Sequence, residues 1–293
     1  MPQRRIFVSA TTNRGLDDRR RSLKAVIIGK LRREALEPEE FFQSGIAETM
    51  AWNFENVDRV MRRCVGAIVI GFPRWTIPGS IELVGEYNHY EGAVALSHNL
   101  PVFLLAERGV ENRGIVWTGA GKPICFIPED AQADWVDHED FQKSFIAWMR
   151  EIKSRKDVFL GYCSQNAGTA ALIENRLLRE GATVLNYNMD FRAGVSILSE
   201  IAAACATCSS GIFLFGENDP LEGTGGNAAP RDNVVFEAGY FMSSKGPDRC
   251  LIIRQGNAKM PADLGGAIYL HLTNPFDISP VETRLKKFLD ENL

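Results

Sequence analysis

Residues 209–255 read SSGIFLFGENDPLEGTGGNAAPRDNVVFEAGYFMSSKGPDRCLIIRQ. The run begins and ends with a short apolar segment of the length and residue content that buried strands have. Between them, a loop rich in glycine, proline and asparagine is followed by a segment, 230–241, whose apolar residues recur at helical spacing. Strand, helix and strand in this order predict a βαβ unit, and therefore a parallel sheet.

The same plan occurs in both halves of the chain. The first half starts with the strand pattern IFVSA at 6–10 and continues with helix patterns near 18–34 and 51–63. The second half starts with VFLGYCS at 158–164 and continues with helix patterns that alternate with strand patterns. Corresponding positions are separated by similar numbers of residues: 152 from Ile6 to Val158, 145 from Gly66 to Gly211, and 146 from Glu91 to Glu237. The two halves therefore repeat a pattern rather than a sequence.

We predict an α/β protein of two tandem flavodoxin-like domains, each a doubly wound, mostly parallel sheet. The length of 293 residues suits two domains. The polar segment 153–157 separates a helix rich in apolar residues from a new first strand, so we place the domains at 1–153 and 156–293.

Composition and charge exclude several classes of function. The net charge is −4, and no basic run is longer than Arg19-Arg20-Arg21, which predicts no nucleic-acid partner. No apolar stretch reaches the ~20 residues of a membrane span. The N-terminus, MPQRRIFVSA, lacks the apolar core of a signal peptide, so we expect a cytoplasmic protein without a membrane partner.

The six cysteines indicate buried structural thiols rather than a metal centre. Cys205 and Cys208 have the spacing of a redox or zinc motif, but a zinc site needs a second pair of ligands. The four histidines are scattered singly along the chain. We therefore expect no metal and no cofactor.

Glu237 is a single carboxylate in the middle of an apolar helical segment. Its neighbours at helical spacing include Asn233, Tyr240 and Phe241. A carboxylate in a partly apolar cleft beside aromatic rings suits stabilisation of, or attack on, a sugar oxocarbenium ion. The alternative is a glutamate at the surface, or one paired with an arginine such as Arg231 or Arg249.

Glu91 repeats this arrangement in the first half, with Asn88 and Tyr87 on the same stripe. Each half thus has one carboxylate, one amide and aromatic rings on the helix after its third principal strand. This arrangement is less expected to occur by chance twice, at equivalent positions, than once. The repeat therefore favours a present or former functional site in both halves.

The second half resembles the TIR-like nucleotide-binding, NAD+-cleaving family of bacterial defence systems. The resemblance spans about 157–272 and rests on VFLGYCS, GIFLFGEND and PRDNVVFEAGYFMSSKGPDRCLIIRQGNAKMPADLGGAIYL. It implies a TIR fold and an NAD+ glycohydrolase in antiphage defence, with Glu237 as the catalytic carboxylate. NAD+ is then a substrate, nicotinamide the leaving group, and ADP-ribose or a cyclic relative the product.

The resemblance also implies binding residues and partners. Many family members carry a histidine-rich turn after the first strand, where this chain has Gly161-Tyr162-Cys163-Ser164-Gln165. We expect self-association and an activating nucleotide signal. Tyr162 and Ser164 can contact ribose or phosphate, and Tyr240 lies beside Glu237. The helix that carries Glu237 starts with Arg231, Asp232 and Asn233. These residues can cap the helix, and its first N–H groups can hold a phosphate.

The first half is similar to TIR-like and nucleoside deoxyribosyltransferase-like domains, through EYNHYEGAVAL and LPVFLL. Three alternatives stay open for it. The first is N-glycosyl transfer on nucleosides or nucleotides with Glu91 as the nucleophile, and the second is a non-catalytic sensor of a nucleotide second messenger. The third is a scaffolding role.

The two halves are also expected to form an intramolecular pseudo-dimer. The segment between them is short, the first half carries all five tryptophans, and the Gly-rich stretch 218–230 is long. The first half would then support the site of the second.

Overall fold

The computed structural model describes residues 4–43, 50–186, 196–221, 228–262 and 269–293. The chain divides into two compact units, the first ending at Ser154 and the second spanning Arg155–Leu293. We call them the first and the second domain. Residues 222–227 of the predicted Gly-rich loop, and the first residue of the helix predicted from residue 195, lie outside the described residues.

The first domain alternates strands and helices. Its described elements are β1 (Arg4–Ala10), α1 (Asp18–Arg33), β2 (Leu36–Glu39), α2 (Phe54–Met61), β3 (Cys64–Gly71), the hairpin of β4 (Pro73–Ile77) and β5 (Ile81–Val84), α3 (Glu86–Ser97), β6 (Val102–Glu107), β7 (Ile124–Ile127) and α4 (Glu139–Ser154).

The second domain follows the same order. Its described elements are β8 (Lys156–Tyr162), α5 (Ala167–Arg179), β9 (Val184–Asn186), α6 (Ile197–Thr207), β10 (Cys208–Phe215), the short pair β11 (Asp219–Pro220) and β12 (Ala228–Ala229), α7 (Asp232–Lys245), β13 (Cys250–Gln255), β14 (Tyr269–Leu272) and α8 (Ser279–Asn292).

In the described part of the chain, each domain contains a five-stranded sheet whose strand pairs are all parallel. The order is β2-β1-β3-β6-β7 in the first domain and β9-β8-β10-β13-β14 in the second. This is the flavodoxin-like order, in which the succession of strands across the sheet changes direction between the first and the third strand. The predicted fold of two tandem flavodoxin-like domains is confirmed.

Helices cover both faces of each sheet, so the central strands β3 and β10 are buried at every residue. In the first domain, α1 and α4 pack on one face and α2 and α3 on the other. In the second domain, α5 and α8 pack on one face and α6 and α7 on the other. The carboxyl ends of the strands leave one edge of each sheet for loops and helix starts.

Local hydrogen bonds explain where the helices begin. The Asp17 side chain accepts from the backbone N–H of Arg20 at 2.8 Å and caps α1, which begins at Asp18 as predicted. The Asn53 side chain caps α2 by accepting from the N–H of Asn56 at 2.9 Å, so α2 starts at Phe54, later than its periodicity indicated. Over the described residues, no helix combines the length and the apolar character required to span a membrane.

Candidate active site

Two glutamates have equivalent positions in the two domains. Glu91 is the sixth residue of α3 and Glu237 is the sixth residue of α7, and each helix comes after the central strand of its sheet. Both side chains are buried, with relative exposures of 6% for Glu91 and 3% for Glu237. Glu237 is therefore not a surface residue, and that alternative is wrong.

The strand position beside each glutamate differs between the domains. Ser9 and Gly161 are the penultimate residues of β1 and β8, the first strands of the two sheets. Ser9 lies opposite Val69 on the central strand, and Gly161 lies opposite Phe213. The first domain thus places a hydroxyl where the second domain places a hydrogen atom.

Gly161 makes room for the Glu237 carboxyl group. A Cβ atom at this position would lie 2.7 Å from Glu237 Oε2 and 2.8 Å from Cδ1 of Phe213. Both distances are shorter than van der Waals contact, so any side chain at residue 161 would displace the carboxyl group or the ring. The approach of Glu237 to the backbone of β8 therefore requires glycine.

Among the described residues, no charged side chain compensates the burial of the Glu237 carboxyl group. Its Oε2 atom is buried and has no hydrogen-bond partner among the described residues. Burial raises the pKa of the carboxyl group to about 8, and no charge or hydrogen bond from the described residues offsets this rise. The alternative of an arginine pair is not supported, since Arg231 pairs with Asp219 at 2.9 Å and Arg249 donates to the carbonyl oxygen of Ser209 at 3.2 Å.

The start of α7 lies one and a half turns before Glu237. Arg231 is the N-cap residue and its side chain makes no capping hydrogen bond, so the predicted capping by Arg231 is wrong. Asp232 and Asn233 belong to the first turn, and all three side chains are exposed. The first backbone N–H groups of α7 therefore keep their capacity to bind an acceptor.

The turn after β8 meets the start of α7. The side chain of Cys163 is the largest cause of the raised pKa of Arg231, and the charge of Asp219 adds to it. Ser164 follows Cys163 and is exposed at the beginning of a 3-10 turn. The structure thus brings Ser164 and Arg231 to the same edge of the sheet.

The two predicted tyrosines have different surroundings. Tyr162 packs on the face of the sheet that α5 and α8 cover, and its hydroxyl donates to Oδ1 of Asn186 at 2.8 Å. Glu237 lies on the other face, because side chains alternate along β8. Tyr240 is partly buried beside the cluster that contains Phe241. Substrate contacts by either tyrosine stay predictions.

Glu91 differs from Glu237 because its carboxyl group has partners. Nε1 of Trp52 donates to Oε1 of Glu91 at 3.0 Å, and Nδ2 of Asn88 donates to Oγ of Ser9 at 3.1 Å. Burial raises the pKa of Glu91, while hydrogen bonds from Ser9 and Trp52 oppose that rise. Tyr87 is 39% exposed on the same helix. The predicted trio of Glu91, Asn88 and Tyr87 is therefore joined by two residues that the sequence did not indicate.

Sequence reasoning missed Ser9, Gly161 and Trp52 as site residues. The separation of 152 that relates Ile6 to Val158 also relates Ser9 to Gly161, so the repeat itself contained a signal for this pair. No comparable signal marks Trp52, which is 39 residues from Glu91 in the sequence. Among the residues that the structure describes, no group of three histidine, cysteine, aspartate or glutamate side chains could hold a metal ion.

Comparison with known proteins bears on the second domain. Residues 157–274 match the family model described as CAP12/Pycsar effector protein, TIR domain. CD-NTase-associated protein 12 of Lachnospiraceae bacterium (strain RUG226) is 28% identical over 147 residues, or 46% of either chain. The Pycsar effector protein BcPycTIR of Burkholderia cepacia is 27% identical over 135 residues, which are 44% of this chain and 45% of that protein.

A shorter match reaches higher identity. CD-NTase-associated protein 12 of Flavobacterium daejeonense is 36% identical over 70 residues, or 22% of each chain. The matches span about half the length of these curated relatives, or less. The resemblance of the second half to a bacterial TIR-like family is confirmed.

Proposed function

We propose that the second domain, a bacterial TIR-like domain, cleaves the N-glycosidic bond of NAD+ and that the chain is an effector of antiphage defence. The observation that carries the proposal is the buried Glu237 carboxyl group, which packs against Gly161 with Oε2 unpartnered among the described residues. Parallel α/β sheets bind ligands at the carboxyl ends of their strands, where this group lies. The relatives named CD-NTase-associated protein 12 and Pycsar effector protein support the assignment to defence.

In the reaction, the bond between C1′ of the ribose and the nicotinamide nitrogen breaks, and its electron pair stays on the nitrogen. Nicotinamide leaves as a neutral molecule, and positive charge develops at C1′. The Glu237 carboxylate stabilises this charge or attacks C1′ to form a covalent intermediate. Water then supplies the new oxygen at C1′ and loses a proton, which gives ADP-ribose. Attack by another atom of the same molecule gives a cyclic product.

The electrostatics of Glu237 suit a substrate that carries a positive charge. With a pKa of about 8, the free carboxyl group is mostly protonated at neutral pH. The nicotinamide ring of NAD+ is cationic, and an opposite charge within about 6 Å favours the ionised carboxylate. Substrate binding would therefore generate the reactive form of Glu237 and exclude water from it.

The start of α7 provides groups for the phosphates of NAD+. The exposed side chains of Arg231 and Ser164 lie at the same edge of the sheet as the first backbone N–H groups of α7. We assign Arg231 and the first turn to the pyrophosphate. This assignment predicts a higher KM for NAD+ in Arg231→Ala, with a smaller effect on kcat.

Nicotinamide release from NAD+, followed by chromatography, tests the proposal. Glu237→Gln should abolish release, whereas Glu291→Gln, which changes an exposed glutamate near the end of α8, should not alter it. Assays should include cyclic nucleotides, since the names of the relatives support activation by such a signal. Release that persists at the same rate in Glu237→Gln would contradict the assignment.

Self-association and the pseudo-dimer stay predictions. N-glycosyl transfer by Glu91 likewise stays an alternative for the first domain. Base release from a nucleoside that is lost in Glu91→Ala and kept in Glu237→Ala would support that alternative.

A further inference from the structure

The segments that leave the second sheet diverge between β8 and β10. The segment after β8 leads to α5 on one face of the sheet, and the segment after β10 leads to α7 on the other face. In open α/β sheets, ligands bind in the crevice that such a divergence opens at the carboxyl ends of the strands. Polar side chains that meet at this point are therefore candidates for contact with a ligand.

Four side-chain amides form a chain of hydrogen bonds across this point. Nδ2 of Asn166 donates to Oε1 of Gln255 at 3.3 Å, and Nδ2 of Asn218 donates to Oδ1 of Asn166 at 2.8 Å. Nδ2 of Asn218 also donates to Oε1 of Gln165 at 3.1 Å. The amides therefore join the segments that follow β8 and β10 to the last residue of β13.

Asn166 is held firmly at the centre of this chain. It is buried, and its backbone N–H donates to the carbonyl oxygen of Cys163 at 2.7 Å. A Cβ atom at Gly216 would lie 2.4 Å from Nδ2 and 2.6 Å from Oδ1 of Asn166, so the amide packs against the bare backbone of the segment after β10. Asn166 therefore presents its oxygen to Asn218 in a fixed position.

Asn218 ends the chain with an acceptor that no described residue uses. The residue is 9% exposed, and its Oδ1 atom is buried without a hydrogen-bond partner in the described part of the chain. The two N–H bonds of Nδ2 are directed at Gln165 and Asn166, so the amide cannot turn over without losing both. A buried acceptor without a donor is costly, and a donor from a ligand removes that cost.

Asn218 also lies beside the groups proposed to bind the phosphates of NAD+. The next residue, Asp219, pairs with Arg231 at 2.9 Å, and Arg231 is the N-cap residue of α7. The backbone N–H of Asn218 donates to the carbonyl oxygen of Ala229 at 3.0 Å, shortly before that helix begins. The unpartnered oxygen of Asn218 is therefore at the edge of the sheet where NAD+ is proposed to bind.

We propose that Oδ1 of Asn218 accepts a hydrogen bond from an NH2 group of NAD+, which makes Asn218 a specificity-determining residue of the second domain. This inference rests on the function proposed above. NAD+ carries two such groups, the carboxamide of nicotinamide and the 6-amino group of adenine. Either group supplies the N–H donor that Oδ1 lacks, and a ligand without that donor leaves the acceptor unpaired.

Isothermal titration calorimetry on the full chain carrying Glu237→Gln tests the inference, because it measures binding apart from cleavage. The ligands are NAD+, its 3-acetylpyridine analogue, which has a methyl group in place of the carboxamide NH2, and its hypoxanthine analogue, which has an oxygen in place of the adenine NH2. We expect NAD+ to bind at least about tenfold more tightly than one of the analogues. The analogue that loses affinity identifies the NH2 group that Asn218 binds.

Matched variants assign this preference to Asn218. Asn218→Ala should weaken NAD+ at least about tenfold and bring its affinity close to that of the disfavoured analogue. Asn218→Asp keeps an acceptor oxygen and should retain the preference. Gln165→Ala is the control, because it removes a partner of the same amide but leaves Oδ1 of Asn218 in place. It should weaken NAD+ and the analogues equally, so that the preference stays unchanged.

Three results would each overturn the inference: no binding of NAD+, equal affinities for NAD+ and both analogues, or a preference that Asn218→Ala leaves intact. The function proposed for Glu237 fails in a different way. If the chain with Glu237 intact bound NAD+ with this preference but did not release nicotinamide, only that function would be contradicted.

Discussion

Replacement of Glu237 by glutamine should make the second domain more stable at alkaline pH. The carboxyl group has an ordinary pKa of 4.5, and burial raises it to about 8 in the native state. Between these two values the native state keeps a proton that the unfolded state has lost, so the stability of the wild-type protein falls as pH rises. Glutamine has no proton to lose, and its contribution does not change with pH.

The expected size of the stability difference follows from the ordinary and the native-state pKa of Glu237. One pKa unit corresponds to about 1.4 kcal/mol, so the rise from 4.5 to about 8 sets an upper limit of about 5 kcal/mol. The advantage of Glu237→Gln over wild type should grow by about 1.4 kcal/mol per pH unit between pH 5 and 8 and then level off. We expect a gain of at least about 2 kcal/mol between pH 5 and pH 8.5, since partial solvation of the carboxylate reduces the full value.

Urea unfolding at several pH values measures the effect. All five tryptophans precede residue 154, so their fluorescence reports the first domain, whereas far-ultraviolet circular dichroism reports both domains. The pH-dependent difference in stability should appear in the unfolding transition that circular dichroism detects and tryptophan fluorescence does not. Glu217→Gln is the control, because this glutamate is exposed in the same domain. If the difference between Glu237→Gln and wild type changed by less than about 0.5 kcal/mol over this pH range, the argument from burial would be refuted.

Three further outcomes follow from the structure. The kcat/KM for NAD+ cleavage should rise about tenfold per pH unit up to about pH 8 and level off above it, because the carboxyl group of the free enzyme must lose its proton before or as NAD+ binds; a flat profile from pH 6.5 to 8.5 would count against that requirement. Gly161→Ala should reduce NAD+ cleavage about 100-fold with its circular dichroism spectrum retained, whereas Gly168→Ala, with open space around its Cβ position, should remain active. Glu107→Gln should cost the first domain about 3 kcal/mol in tryptophan-monitored unfolding, since this buried carboxylate binds two arginines of α1; Glu111→Gln, at an exposed site, should cost less than about 0.5 kcal/mol.

The order of strands and helices could be predicted from the sequence because it depends on local patterns. Apolar residues at a period of two or 3.6 specify which segments become strands or helices, whatever the rest of the chain does. The same patterns, repeated at a nearly constant separation, were sufficient to predict two domains of one fold. They also placed Glu91 and Glu237 at equivalent points of two helices, where the structure has them.

The environments of the two glutamates depend on tertiary structure. Packing of α3 and α7 against the first strand of each sheet decides that Glu91 meets the hydroxyl of Ser9 and that Glu237 meets the bare backbone of Gly161. Trp52 reaches Glu91 from a segment that is distant in the sequence. A repeat of pattern could not distinguish a carboxyl group with two donors from one with an unpartnered oxygen.

The face on which a strand residue lies is also decided by the assembled sheet. Tyr162 and Gly161 are adjacent in the sequence, yet Tyr162 packs with α5 and α8 while Gly161 faces Glu237 on α7. The sequence by itself determined that β8 is a buried strand and that α7 carries a carboxylate. Only the register of the sheet decided which residue of the strand the carboxylate meets, because successive side chains of a strand point to opposite faces and the helices on each face are brought there by long-range packing.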